Sequence, residues 1–297
     1  MILAPVLLFV YNRPFHTRKV IEALQVNEYS LQTNLIIYSD ASNDPFNLEV
    51  IQTRNYLKNV GGFKSISIIE RQENWGLAKN IIDGVTSIVN RYGKVIILED
   101  DLVVSPYFLK YMNEALDLYE KEEKVISIHG YVYPVKRTLP ETFFIKGADC
   151  WGWATWKRGW DLFCSDGKAL LKEIEKRNLK KEFDFNNSYP YCRMLRQQIA
   201  GKNNSWAVRW YASAFLHNKL TLYPGRSLVN QIGMDGSGTH CSTNEMFDVP
   251  LTNSSIVLSN IDIQESKQGR DAFIYYFRYI MFYYKVKARL KRIFKIS

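Results

Sequence analysis

Val95-Ile96-Ile97-Leu98-Glu99-Asp100-Asp101 sets four apolar residues directly against three consecutive carboxylates. A run that short, rich in Val and Ile, predicts a strand buried on both faces, as in a parallel sheet. Three acids at the exit of a buried strand repel one another, so stability alone disfavours them. A divalent cation removes the conflict, because hard oxygen donors suit Mg2+ or Mn2+. In open α/β sheets, ligands gather outside the carboxyl ends of the strands, where a nucleotide diphosphate brings such a cation.

The preceding sequence alternates in the way this reading requires. Strands are predicted over Val6–Tyr11, Leu35–Ser39, Ser65–Ile69 and Lys94–Leu98. Between them lie predicted helices over Pro14–Leu24, Pro45–Leu57 and Leu77–Val89, the last with Leu77, Ile81, Val85 and Ile88 on one face. A helix over Pro106–Tyr119 and a strand over Val125–His129 follow. This βαβα order predicts an α/β fold with a mostly parallel, doubly wound sheet and helices on both faces. Past residue 130 the pattern is less regular, with a strand at Phe143–Ile145, a charged helix at Leu170–Lys181 and a helix at Trp206–Asn218. With no repeat or low-complexity linker, residues 1–262 read as one domain. Its nucleotide half is about 1–104, its acceptor half about 105–262, and a basic aromatic tail occupies 263–297.

Composition agrees with a globular protein, with 46% hydrophobic and 23% charged residues in 297. Most of the +9 net charge sits in the tail: Arg278, Lys285, Lys287, Arg289, Lys291, Arg292 and Lys295 face the single acid Asp271. The nearly balanced body gives no reason to expect nucleic acid as a partner. Cys150, Cys164, Cys192 and Cys241 form no C-x-x-C pair, which argues against a zinc ribbon and fits a reducing compartment. Met1–Tyr11 lacks a basic leader and a small-residue cleavage site, so it reads as a first strand. A cytoplasmic location is expected.

Each of the first four strand exits carries a polar group suited to a ligand. Asn12-Arg13-Pro14 ends the first strand and Ser39-Asp40-Ala41-Ser42 the second. Asp40 can accept from a base N–H, although an Asx turn or helix cap explains it as well. Asn74-Trp75-Gly76-Leu77-Ala78-Lys79-Asn80 ends the third strand and opens a helix, whose start favours anions. Glu99-Asp100-Asp101 ends the fourth.

Val-Tyr-Asn-Arg, Ser-Asp-Ala-Ser and Leu-Glu-Asp-Asp-Leu-Val-Val-Ser-Pro-Tyr-Phe together resemble the GT-A glycosyltransferases. The likeness is to the group around N-acetylglucosaminyltransferase I and its bacterial family-2-like relatives, over roughly residues 4–245. The resemblance implies a metal-dependent inverting transferase of the hexosyl type. It would use a UDP-sugar to glycosylate a glycan or lipid-linked acceptor in bacterial surface polysaccharide assembly. Arg13 and Asp40 would hold the uracil end, Asn74 and Asn80 would lie near the nucleotide, and Asp100 would touch ribose. Asp101 would bind Mn2+ or Mg2+, and Glu99 would reach the donor sugar. Gly147-Ala148-Asp149-Cys150-Trp151-Gly152-Trp153 resembles the family's segment beside that sugar. Leu222–Arg226 through Gly233–His240 resembles its late flexible loop, where Ser237 would contact the diphosphate and His240 the metal.

The resemblance fails at one place. The family's general base is an Asp in a Trp-Asp-x-x-Trp motif, and Ser205-Trp206-Ala207-Val208-Arg209-Trp210 has no acid. An inverting transfer needs a base for the acceptor hydroxyl, so Asp235, and then Asp149, stand as substitutes. The missing acid also keeps open a glycan- or membrane-binding protein without catalysis. A nucleotidyltransferase is a further alternative, weakened by the lack of G-x-x-x-x-G-K-[ST] and G-x-G-x-x-G. The clustered Trp151, Trp153, Trp156 and Trp160 are partly helically spaced and read chiefly as core. His16, His129 and His217 read as packed or surface residues. In the tail, Val286, Leu290, Ile293 and Phe294 form a stripe amid Lys and Arg, which predicts a helix on an anionic membrane surface through 271–297. The alternative is a helix packed on its own domain. Ala272–Tyr284 is too short to span a bilayer, so the predicted association is peripheral, at the inner face of the cell membrane.

Overall fold

The computed structural model describes residues 2–236 and 245–294. Ten strands form two sheets: β1 Val6–Val10, β2 Asn34–Ser39, β3 Ser65–Glu70, β4 Lys94–Glu99, β5 Leu102–Val104, β6 Val125–His129, β7 Thr142–Lys146, β8 Trp153–Trp156, β9 Leu220–Pro224 and β10 Val229–Gln231. The main sheet runs β3-β2-β1-β4-β8-β6-β9-β7, and β5 pairs with β10 beside it. The β1–β2, β1–β4, β2–β3 and β6–β9 ladders are parallel, so the mixed α/β, mostly parallel architecture stands. Helices are α1 Pro14–Gln25, α2 Leu48–Leu57, α3 Gly76–Tyr92, α4 Phe108–Leu118, α5 Lys157–Trp160, α6 Gly167–Lys176, α7 Lys180–Phe183, α8 Tyr191–Ile199, α9 Trp206–Leu216 and α10 Lys267–Phe294.

Strand alternation divides the interior into two cores. Val6, Leu8, Val10, Ile96 and Leu98 face α1 and α4. Leu7, Phe9, Val95 and Ile97 face α3 and α9. The apolar run before the triplet is therefore buried on both sides, as its composition requires. On the second side Trp153, Trp160, Trp206 and Trp210 pile together, with Trp153 centroids 5.5–5.8 Å from the other three. Trp206 and Trp210 thus belong to the core of α9, where the family motif had its acid.

Several boundaries differ from the sequence reading. Asn47 accepts from Val50 N and caps α2, so that helix starts at Leu48 rather than Pro45. The helix expected over Leu170–Lys181 begins earlier and breaks in two: Asp166 caps α6, and Asn178 at φ 56° separates it from α7. Trp153–Trp156 is a strand, inserted antiparallel between β4 and β6. Leu220–Pro224, read in part as flexible loop, is a buried strand, because β6 and β7 pair with it on both sides. The first half of α10 is core: Ala272, Phe273, Tyr276, Phe277 and Ile280 are buried, and Tyr133 and Phe143 pack on Phe273. Among the described residues, no helix is long and apolar enough to cross a membrane.

Candidate active site

Because β3, β2, β1 and β4 are parallel neighbours, their carboxyl ends lie along one edge. Glu99 closes β4, and Asp100 and Asp101 turn the chain into β5. Pairing of Leu102 with Gln231 brings β10 alongside, and Ile232 N–H donates to the Asp101 carbonyl at 2.8 Å. Arg13, from the exit of β1, reaches Asp101 Oδ2 at 2.9 Å and Asp100 Oδ1 at 3.9 Å. Tyr11 N–H donates to Asp100 Oδ2 at 3.2 Å, and Gln231 Nε2 donates to Asp101 Oδ2 at 3.2 Å.

These contacts leave the acids over-concentrated. Burial, then Asp101, push Asp100 up to about 7, although Arg13 and the Tyr11 N–H pull the other way. Glu99 is raised well above the usual carboxylate range by burial, then by Asp101 and Asp100. A cation beside the triplet relieves that stress.

The donor set suits Mg2+ or Mn2+ shared with a phosphate. Asp101 and Asp100 offer hard oxygens, and Gln231 Oε1 is buried with no hydrogen-bond partner among the described residues, while its Nε2 donates to Asp101. Such ions commonly take one or two carboxylates and complete their shell with phosphate oxygens and water. Among the described residues no group of three or more His, Cys, Asp or Glu side chains is placed to hold a metal ion.

The segment after β10 closes over this cluster. A Cβ at Gly233 would strike Asp101 Oδ2 and come within 2.7 Å of Arg13 Nη1, so any side chain there displaces this pair. Asp235 follows, with its carboxylate 47% exposed and 3.1 Å from Nε2 of buried His16 in α1. Ser237 and His240, the expected diphosphate and metal contacts, lie outside the described residues.

Asp40 is buried at the exit of β2 and caps α3 from outside the helix. Its Oδ1 accepts from Ala41 N and Trp75 N at 3.0 Å, and its Oδ2 from Gly76 N at 2.9 Å. The cap alternative is thus realised, by a residue outside the helix it caps. Asn74 Nδ2 donates to the Ala41 carbonyl at 2.7 Å, tying the same two strand exits together. Buried Asn80 accepts from Arg71 Nε at 2.9 Å. Gly76 holds φ +69°, which explains the glycine at this corner.

Asp149 lies in the segment between β7 and β8. Tyr133 and Tyr223 hydroxyls donate to its Oδ2 at 3.0 and 3.2 Å, and Cys150 N–H donates to its Oδ1 at 2.8 Å. Burial, then Asp149 and Glu99, push the Cys150 thiol up. Behind it, neutral His129 donates from Nδ1 to the Tyr131 carbonyl and accepts from Trp151 N–H at Nε2. That pairing holds the 149–151 turn.

Three residues escaped the sequence reading, and a fourth, His16, was read there only as packed or surface. Arg71 stands at the exit of β3, the position used to select the others. It stacks on Trp75 at 3.6 Å and Tyr38 at 4.8 Å and pairs with Asp83. Arg54 closes the sheet edge by donating to the carbonyls of Ser39, Asp40 and Arg71. Gln231 reaches the triplet only through the β5–β10 pairing, and His16 meets Asp235 only because α1 and the late loop converge. Neither has a local sequence signal.

No family model and no curated protein matches the chain. Among solved structures it is similar to S. aureus TarS, with 14% identity and a TM-score of 0.30 over 48% of this chain and 24% of TarS. The chain therefore spans about a quarter of that protein. It is also similar to the mannosyltransferase PcManGT from Pyrobaculum calidifontis, solved with GDP-Man and Mn2+ (11% identity, TM-score 0.37, 72% of this chain and 70% of that one). A third likeness is to UDP-glucose pyrophosphorylase complexed with UDP-glucose (14%, TM-score 0.38, 75% and 90%). These are likenesses of backbone arrangement.

Proposed function

We propose that this protein transfers a sugar from a nucleotide diphosphate donor, UDP-linked, to a hydroxyl of a glycan or lipid-linked acceptor. One observation carries the reading: Glu99 and Asp100 are both held above the ordinary carboxylate range even with Arg13 beside Asp100 and Asp101. A site built that way favours a ligand that arrives with positive charge and leaves with a diphosphate. Asp101, Asp100 and Gln231 are the residues that would hold Mn2+ or Mg2+, which when bound supplies charge neutralisation for the departing diphosphate.

The remaining roles fall to the chain's own groups. Arg13 turns its guanidinium toward phosphate oxygens. Arg71, Tyr38 and Trp75 wall the region beside Asp40 where a base would lie. Glu99 orients sugar hydroxyls. Asp235, exposed and paired with His16, accepts the acceptor hydroxyl's proton as that oxygen attacks the anomeric carbon from the face opposite the diphosphate. Asp149 is the weaker candidate for base, because two phenols and a backbone N–H already occupy it.

The test is release of UDP from a panel of UDP-sugars with Mn2+ and with chelator, beside release of pyrophosphate from UTP and a sugar phosphate. Chelator-sensitive UDP release supports sugar transfer, and pyrophosphate release supports nucleotidyl transfer instead. No turnover with any donor, together with no calorimetric heat from Mn2+ plus UDP, overturns the proposal.

A further inference from the structure

The last helix carries two apolar faces, and the domain uses only one. Toward the body, Phe273, Tyr276, Phe277 and Ile280 are buried against the β7 side of the core. A Cβ at Gly269 would strike the Phe143 ring, and Arg270 pairs with Glu265 at 2.9 Å, so this part of α10 is fixed. Turned away from the body, Tyr275, Tyr279, Phe282, Tyr283, Val286 and Leu290 are all exposed. They recur at intervals of three and four, which makes a single helical stripe. From Phe282 to Leu290 every residue is exposed.

Charge identifies what does. Arg278, Lys285 and Arg289 run along one flank of the stripe and Lys287 along the other. Arg137, from another part of the chain, lies over the Tyr275 ring at 5.4 Å and adds a cation at the stripe's near end. No acid follows Asp271 in the sequence. Two copies laid stripe to stripe would set like charges against each other on both flanks, which disfavours self-association. An anionic surface meets all of these cations at once. Tyr and Phe on the stripe suit the boundary between head groups and acyl chains. Between α10 and the 184–190 segment an open groove of roughly 270 Å3 is lined by Arg278 and Lys285.

We propose that this outer face of α10, Tyr275 through Leu290, docks the domain on an anionic phospholipid bilayer, with the helix lying in the interface and its inner face still keyed into the core. The docking is independent of the reaction assigned to the acid triplet.

The experiment is vesicle flotation of the full chain with phosphatidylcholine alone and with phosphatidylcholine carrying phosphatidylglycerol. Wild type should float with the anionic vesicles and stay behind with the neutral ones. Two triple variants test the two components: Phe282→Ser with Val286→Ser and Leu290→Ser, and Lys285→Glu with Lys287→Glu and Arg289→Glu. All six positions are exposed, so melting temperature should match wild type. Each variant should lose roughly a hundredfold in partition. Wild type that does not float with anionic vesicles overturns the proposal, as does a serine variant that floats equally well. So does light scattering that shows a dimer abolished by the serine changes, since a second copy would then own the face.

Discussion

Arg13 Nη1 lies 2.9 Å from Asp101 Oδ2, a pairing between the exits of β1 and β4 that are 88 residues apart in sequence. One guanidinium thus faces two of the three consecutive acids, and both partners of the close pair lie against Gly233. The arrangement sets out what substitutions at this edge should do.

Asp101→Ala removes the carboxylate best placed for a cation while reducing repulsion on Glu99 and Asp100. Donor turnover should fall about a hundredfold or more. The melting temperature without ligand should hold or rise. Retained Mn2+-dependent turnover would remove Asp101 from the site.

Asp100 gives a pH dependence with a defined sign. Its pKa rises from 3.8 to about 7 on folding. Between these values the folded protein holds a proton that the unfolded chain releases, so stability falls as pH rises from about 4 to about 7 and then levels. Asp100→Asn is neutral throughout. It should flatten that slope and melt higher than wild type above pH 7. Parallel pH–melting curves for the two proteins would contradict this.

Asp40→Ala strips the acceptor from the Ala41, Trp75 and Gly76 N–H groups. A loss of about 2 kcal/mol in urea unfolding is expected even without ligand. An unchanged unfolding midpoint together with lost donor binding would mean that Asp40 serves the ligand alone.

The fold was legible where local pattern and tertiary role coincide. Val95–Leu98 needed two buried faces, and it received them from α1 and α4 on one side and α3 and α9 on the other. The exits of β1, β2 and β4 stood out because parallel pairing aligns them. Legibility ended where long-range pairing decides. Trp153–Trp156 has helical spacing yet forms a strand, because β4 and β6 leave an antiparallel slot between them. Gln231 carries nothing locally to connect it with Asp101. The tail's composition showed an amphipathic helix, but only packing separates the face bound to the body from the face that is free.

Gly233→Ala is a steric test. The added methyl meets Asp101 Oδ2 and Arg13 Nη1. Stability should drop by roughly 1–3 kcal/mol, and donor affinity should weaken because the Arg13–Asp101 geometry shifts. If both are unchanged by calorimetry and unfolding, the loop does not rest on the triplet.

The two candidate bases should separate cleanly. Asp235→Asn should lower kcat by roughly 10²–10⁴-fold and leave the donor KM near wild type. Asp149→Asn keeps an oxygen acceptor for the phenols, so it should cost under about tenfold in kcat and show mainly as lost stability. The reverse ranking would move the base to Asp149.

The packed indoles give the molecule a built-in optical reference. Trp153, Trp160, Trp206 and Trp210 exchange excitation at their short separations, so their emission behaves as one unit that changes only when the core opens. Trp75 stands at the other end of α3, about 15 Å along the axis from Thr86, which accepts from Trp160 Nε1. It carries Arg71 and Lys79 on its ring at 3.6 and 3.8 Å. A ligand arriving beside Asp40 therefore alters the Trp75 emission while the packed four report on the core, and binding can be followed by fluorescence without a label.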